Sequence, residues 1–195
     1  MMSAQNRQLL LNGNNYTVEF FNGFALYQNN NYPLMNSATH FLIEIAKTQK
    51  QSKRVLDLGC GQGAVGFAIA AYLLAKEVYS FDIQFSLLKN LSYSLQVNSI
   101  NNFFLINGDY NYLSNLFPLN FFDNIYFNPP FYSSGRVSKN LSQAKSFFRK
   151  EFSLINIFKN GWAILKPKGN LLIVYPADKI FLLANDLMNS KFKIE

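Results

Sequence analysis

Apolar residues in this chain gather into short runs, and between the runs apolar and polar positions alternate with the longer period of a helix. Residues 54–58, 78–81, 103–106, 124–127 and 171–175 are runs of four or five residues rich in Val, Ile, Leu, Phe and Tyr, as buried strands are. Residues 64–76, 84–97, 152–165 and 177–189 carry the helical period. Strand and helix in alternation is the pattern of a parallel sheet, because parallel neighbours need a crossover between them. The expectation is an α/β, Rossmann-like domain over residues 36–195, with a mostly parallel central sheet and helices on both faces. Ahead of it, residues 16–21 and 24–27 flank Asn22-Gly23, a dipeptide suited to a tight turn, so residues 1–35 are expected to form a β-hairpin extension. Residues 37–47 read as a helix with Ser37 as N-cap and Phe41, Leu42, Ile45 and Ala46 on its apolar face. Lys166-Pro167-Lys168-Gly169 reads as a turn and Trp162 as core.

Composition agrees with a folded core. Of 195 residues, 49% are hydrophobic and 15% charged, which excludes a disordered chain. The lone cysteine, Cys60, excludes an internal disulfide and fits a reducing cytoplasm. The first residues lack a basic stretch followed by an apolar run, so no signal peptide is expected. The longest apolar stretch, residues 64–75, is about half of what a membrane span needs. A cytoplasmic protein is the expectation. The formal charge of +7 suggests an anionic partner. Its distribution says more: Arg136, Lys139, Lys145, Arg149 and Lys150 fall in one stretch that contains no acid. Most such runs are solvated faces, but this one directly follows the most specific motif of the chain, and it is the candidate contact for RNA phosphates.

The candidate chemistry lies where the strands end. Open α/β sheets bind ligands at the carboxyl ends of their strands, and there this chain carries Asp57, Asp82, Asp109 and Asn128. One strand-ending Asp is ordinary turn chemistry; four polar residues on one rim suggest a site. The loop after the first strand has two readings. Gly59, Gly61 and Ala64 match the dinucleotide pattern, whereas Gly59, Gly61 and Gly63 after Asp57 match the D-x-G-x-G-x-G loop of S-adenosylmethionine (SAM) enzymes. Charge separates them. Three acids on the rim repel a pyrophosphate and suit a cofactor carrying a sulfonium and an ammonium group. Asp82 can then accept from both ribose hydroxyls, Ile83 can cover an adenine face, and Asp109 with Tyr110 can meet the adenine amino group. In Asn128-Pro129-Pro130-Phe131, the Asn128 side-chain oxygen and the Pro129 carbonyl can accept both N–H groups of a planar amine and aim its lone pair. The prolines stiffen the backbone, and Phe131 offers a stacking face for a flipped base. That chemistry needs orientation, with no metal and no general base. His40 has no partner at ligand spacing, and Cys60 reads as a small packed residue.

At these residues the chain resembles the SAM-dependent amino-group methyltransferases that carry an N-P-P-[FY] motif. Residues 55–66 (VLDLGCGQGAVG) and 127–131 (FNPPF) carry the match. Within that class the pattern is most similar to the bacterial tRNA(Val) adenine-N6 methyltransferases, through the early hairpin and helix, the long polar segment after Asn128 and the turn at 166–169. The resemblance implies a SAM-dependent methyltransferase fold, with SAM held by Asp57, Gly59, Gly61, Gly63, Asp82, Ile83, Asp109 and Tyr110. It implies a target base met by Asn128, Pro129 and Phe131, and RNA, specifically tRNA, as partner. The family's Gly-x-Asp ahead of the early helix is here Met35-Asn36-Ser37, and its final antiparallel strands have no counterpart before Glu195, so the C-terminal strands are expected to be incomplete. Related N-P-P enzymes methylate guanine-N2 of ribosomal RNA or a release-factor glutamine, and a non-catalytic RNA-binding module of the same fold is the alternative from another class.

Overall fold

The computed structural model describes residues 7–11, 13–129 and 154–193. Five strands form one parallel sheet: β4 (Ser52–Leu58), β5 (Ala75–Asp82), β6 (Phe103–Asn107), β7 (Phe122–Phe127) and β8 (Leu165–Ile173), in the order β6-β5-β4-β7-β8. From β4 the chain steps outward through β5 to β6, then returns to place β7 on the other side of β4. Strand order therefore reverses between β4 and β7, and the crevice above their carboxyl ends is where such sheets bind ligands. Leu58 pairs in register with both Phe81 and Phe127, so the loops after β4, β5 and β7 leave the sheet in one row. At the opposite end, Asp123 of β7 accepts from the backbone N–H groups of Lys53 and Arg54 and pairs with Lys166 of β8.

Helices cover both faces, as expected. One face carries α1 (Ser37–Thr48), α2 (Ala64–Ala71) and α3 (Phe85–Val97); the other carries α4 (Leu113–Leu116), α5 (Leu154–Ile164) and α6 (Ile180–Met188). Alternation along β4 divides the core: Val55 packs under the first layer, and Leu56 and Leu58 under the second. All eight residues of α2 are buried, as befits a helix apolar on every side. No helix among the described residues is long and apolar enough to cross a membrane.

A second, three-stranded antiparallel sheet precedes this layer: β1 (Arg7–Leu11), β2 (Asn14–Phe21) and β3 (Phe24–Asn29). The turn between β2 and β3 has positive φ at both Asn22 (49°) and Gly23 (85°), which only a turn dipeptide of this kind tolerates cheaply. The outer edge of β3 is covered by α3. There the Asn98 side chain exchanges two hydrogen bonds with the Ala25 backbone, and Ser94 Oγ accepts from Tyr27 N.

Five expectations are corrected. The helix expected over 64–76 stops at Ala71, and β5 begins at Ala75. Leu73, at φ 55°, takes the left-handed place after the helix, and Leu73 and Leu74 donate back to Ala70 and Ile69, closing a Schellman motif without glycine. The α1 N-cap is Asn36, not Ser37: its side chain accepts from Thr39 N at 3.1 Å. The buried face of α1 is Thr39, Leu42, Ile43 and Ala46, while Phe41 is exposed. Trp162 is also exposed, edge-on against Phe192. Finally, 166–169 is a bulge within β8, where Leu165 faces Phe122 but Asn170 already faces Asn124.

Candidate functional site

The loop after β4 is shaped by three glycines in positive φ, Gly59 at 64°, Gly61 at 56° and Gly63 at 81°. Gly63 passes directly into α2. At Gly59 the need is also steric, since a Cβ would come within 2.7 Å of the Tyr110 hydroxyl. The loop is tied to its neighbours: Cys60 N donates to Phe81 O at 3.0 Å, and Gly61 N to Asp82 Oδ2 at 2.9 Å.

Two carboxylates support it from beneath. Asp57 is 3% exposed and accepts from Gly66 N, in the first turns of α2, at 2.8 Å. Burial pushes its carboxyl up to about 7, against the lowering effect of the Gly66 bond. Asp82 is equally buried; its second oxygen accepts from Gln84 N at 2.8 Å, and burial raises it to about 6. The described ion pairs are Lys47 with Glu44, Arg54 with Glu77 and Lys166 with Asp123, so no described cation compensates Asp57 or Asp82. Two buried carboxylates with no counterion among the described residues favour a cationic ligand.

The remaining residues expected at the rim take definite places. Ile83 follows Asp82 half-buried, and its carbonyl accepts from Asn107 Nδ2. Asp109 caps a single helical turn, Tyr110–Tyr112, by accepting from Asn111 N at 2.8 Å. That turn seats the Tyr110 ring against Phe81 and Phe127 with its hydroxyl over Gly59. Burial raises the Tyr110 phenol well above its ordinary value, so it stays protonated. Asn128 follows β7 half-buried, beside the glycine loop by strand register, and Pro129 is buried. Asn128 Nδ2 donates to Thr39 Oγ1 of α1 at 3.2 Å. Phe131, Arg136, Lys139, Lys145, Arg149 and Lys150 lie outside the described residues.

Two contributors escape sequence reading. Gln62, 5% exposed inside the glycine loop, accepts from Asn29 N at 2.6 Å and donates to the carbonyls of Asn29 (3.2 Å) and Pro33 (2.9 Å). It fastens the end of β3 over the loop. Thr39 reaches Asn128 across 89 residues of chain. Neither carries a local signal, because each acts through a distant backbone or side chain.

The family model described as the methyltransferase small domain matches residues 32–194. No curated protein matches the chain in sequence. Among solved structures, Trm5b of Pyrococcus abyssi is similar at TM-score 0.62 and 15% identity, over 94% of this chain and 52% of that one. A SAM-dependent methyltransferase of Aquifex aeolicus gives TM-score 0.58 at 13% identity, over 80% of each chain. TYW2 of Pyrococcus horikoshii, in complex with MeSAdo, gives 0.52 at 20% identity, over 77% of this chain and 48% of that one. The chain thus spans about half the length of Trm5b and TYW2. At these identities the likeness establishes the fold.

Proposed function

This chain belongs to the methyltransferase small domain family, with SAM as its methyl donor, and we propose that it methylates the exocyclic amino group of adenine in RNA, specifically adenine-N6 of a tRNA. The observation that carries this reading is the pairing of Leu58 with Phe127, which sets the acid-backed glycine loop beside Asn128. The donor set fits SAM: Asp57 and Asp82 are buried carboxylates with no described counterion, and a Cβ at Gly61 would meet nothing within 4 Å, leaving the loop open to a ligand. In this reading Gly59, Gly61 and Gly63 shape the cradle, Asp82 and Ile83 take the nucleoside, and the Asp109–Tyr110 turn lines its edge. Bound there, SAM supplies an electrophilic methyl on sulfur, which leaves as a neutral thioether.

Asn128 Oδ1 and the Pro129 carbonyl accept the two N–H groups of the target amine. Holding both turns the nitrogen lone pair out of the ring plane and toward the methyl carbon. Methyl transfer to that nitrogen would break the donor's carbon–sulfur bond as the nitrogen–carbon bond formed, and the surplus proton on nitrogen would pass to water. The rate gain comes from proximity and orientation. Phe131 stacks on the extruded base, while Arg136, Lys139, Lys145, Arg149 and Lys150 hold the phosphates around it.

Calorimetry and turnover test this reading together. The protein should bind SAM and S-adenosylhomocysteine, and NAD negligibly; Asn128→Ala should abolish methyl transfer while leaving SAM affinity within about twofold. Tight NAD binding without SAM binding contradicts the cofactor site, and wild-type turnover in Asn128→Ala contradicts the acceptor site.

A further inference from the structure

The orientation of Asn128 is set by a chain of hydrogen bonds that begins at a helix cap. A backbone N–H can only donate, so the Asn36 atom 3.1 Å from Thr39 N is an acceptor, Oδ1. The same oxygen lies 3.2 Å from Thr39 Oγ1 and takes the hydroxyl proton. Thr39 is therefore left with lone pairs for its other neighbour, and Asn128 Nδ2 donates into them at 3.2 Å. A planar amide that anchors its nitrogen turns its oxygen the other way, and among the described residues nothing donates to Asn128 Oδ1. Rotating the amide by half a turn would set oxygen against a hydroxyl whose proton is committed elsewhere, and would offer N–H donors where an acceptor is needed. Thr39 is 9% exposed, so bulk water is poorly placed to replace it. The segment carrying Asn36 is itself fastened at its start, where Gln62 holds Asn29 and Pro33.

We infer that Thr39, polarised by the Asn36 cap, is a positioning residue that locks the Asn128 amide with its oxygen toward the acceptor amine. The inference rests on the reading of Asn128 as the residue that orients this amine. It makes the first turn of α1 part of the acceptor site, although neither Asn36 nor Thr39 touches substrate.

The test compares kcat, KM for RNA, SAM affinity and Tm in the full chain for Thr39→Val, Thr39→Ser, Asn36→Ala and Asn36→Asp. Thr39→Val removes the acceptor, and kcat should fall between about tenfold and a hundredfold, the range expected for a misplaced catalytic group, with SAM affinity unchanged. Thr39→Ser keeps the hydroxyl and should restore kcat to within about threefold. Asn36→Asp keeps an acceptor at the cap and should turn over like wild type, whereas Asn36→Ala should lose about fivefold or more. A purely structural role predicts losses in Tm with kcat intact in the folded fraction. If Thr39→Val does not fold, the Asn36 pair decides: equal kcat in Asn36→Ala and Asn36→Asp overturns the inference. Wild-type kcat in Thr39→Val, alongside an inactive Asn128→Ala, overturns it while sparing the acceptor site; an active Asn128→Ala removes its premise instead.

Discussion

Asp57 and Asp82 show how burial changes the chemistry of a common residue. Their carboxyls stand at about 7 and about 6, above the ordinary 3.8, because ionising either one beneath the loop sacrifices hydration. The sign of the linkage follows. Between pH 4 and these values the folded chain holds protons that the unfolded chain has released, so this contribution to stability falls as pH rises through about 4 to 7. A cationic cofactor reverses the trend, because it is attracted to the ionised pair. The increase in Tm on adding SAM should therefore be larger at pH 8 than at pH 5, with affinity tightening by about tenfold or more. Asp82→Asn should flatten the part of that dependence near pH 6. An equal SAM-induced shift at both pH values would show that these carboxylates do not face the cofactor charge. At this scale the sequence was informative about identity and silent about environment. Asp57 and Asp82 were legible from their place at strand ends, but their lack of a described counterion depends on packing. Gln62 and Thr39 were invisible because their partners lie 33 and 89 residues away.

Elements were legible where local chemistry and tertiary need agree. The Asn22-Gly23 turn and the strands β4, β5, β6 and β7 fall where their residues predict, give or take their ends. The sequence misled where tertiary structure overrides propensity. Leu73 ends α2 in a conformation that costs a branched-chain residue about 1–2 kcal/mol, so no glycine announced the stop. Ser99 ends α3 the same way, with Ser99 and Ile100 donating back to Gln96 and Leu95. Lys166 to Gly169 read as a turn because Pro and Gly usually break strands; here they form a bulge whose Gly169 lies against the Asp123 carbonyl, where a Cβ would approach to 2.8 Å. Leu73 also supplies a test. It is 67% exposed, so Leu73→Gly relieves backbone strain while losing little packing. The variant should gain about 0.5–1 kcal/mol, or about 1–4 °C in Tm. A lower Tm would mean that the Leu73 side chain contributes more than its backbone costs.

On the scale of the whole molecule, the fold joins three pieces at one place. The antiparallel sheet is fastened to the glycine loop by Gln62, α1 reaches Asn128 through Thr39, and the central sheet sets both loops side by side. Charge provides the remaining part of the proposal. The chain carries +7, and the acid-free stretch from Arg136 to Lys150 follows the Asn128 motif. If these cations hold RNA phosphates, affinity should fall steeply with salt, and replacing Lys139, Lys145 and Arg149 with Gln should lower the log–log slope by roughly one unit per lost contact. SAM affinity should not change. A triple variant that binds and methylates tRNA like wild type throughout a salt titration would argue for an acceptor other than RNA. The acceptor itself decides the account, and mass spectrometry of nucleosides measures it. Unmodified tRNA incubated with the protein and isotopically labelled SAM, then digested, should carry the label in N6-methyladenosine and in no other nucleoside, and Asn128→Ala should leave it unlabelled. Label in N2-methylguanosine or in a protein glutamine, or unlabelled RNA from a protein that binds SAM normally, would contradict the proposed function.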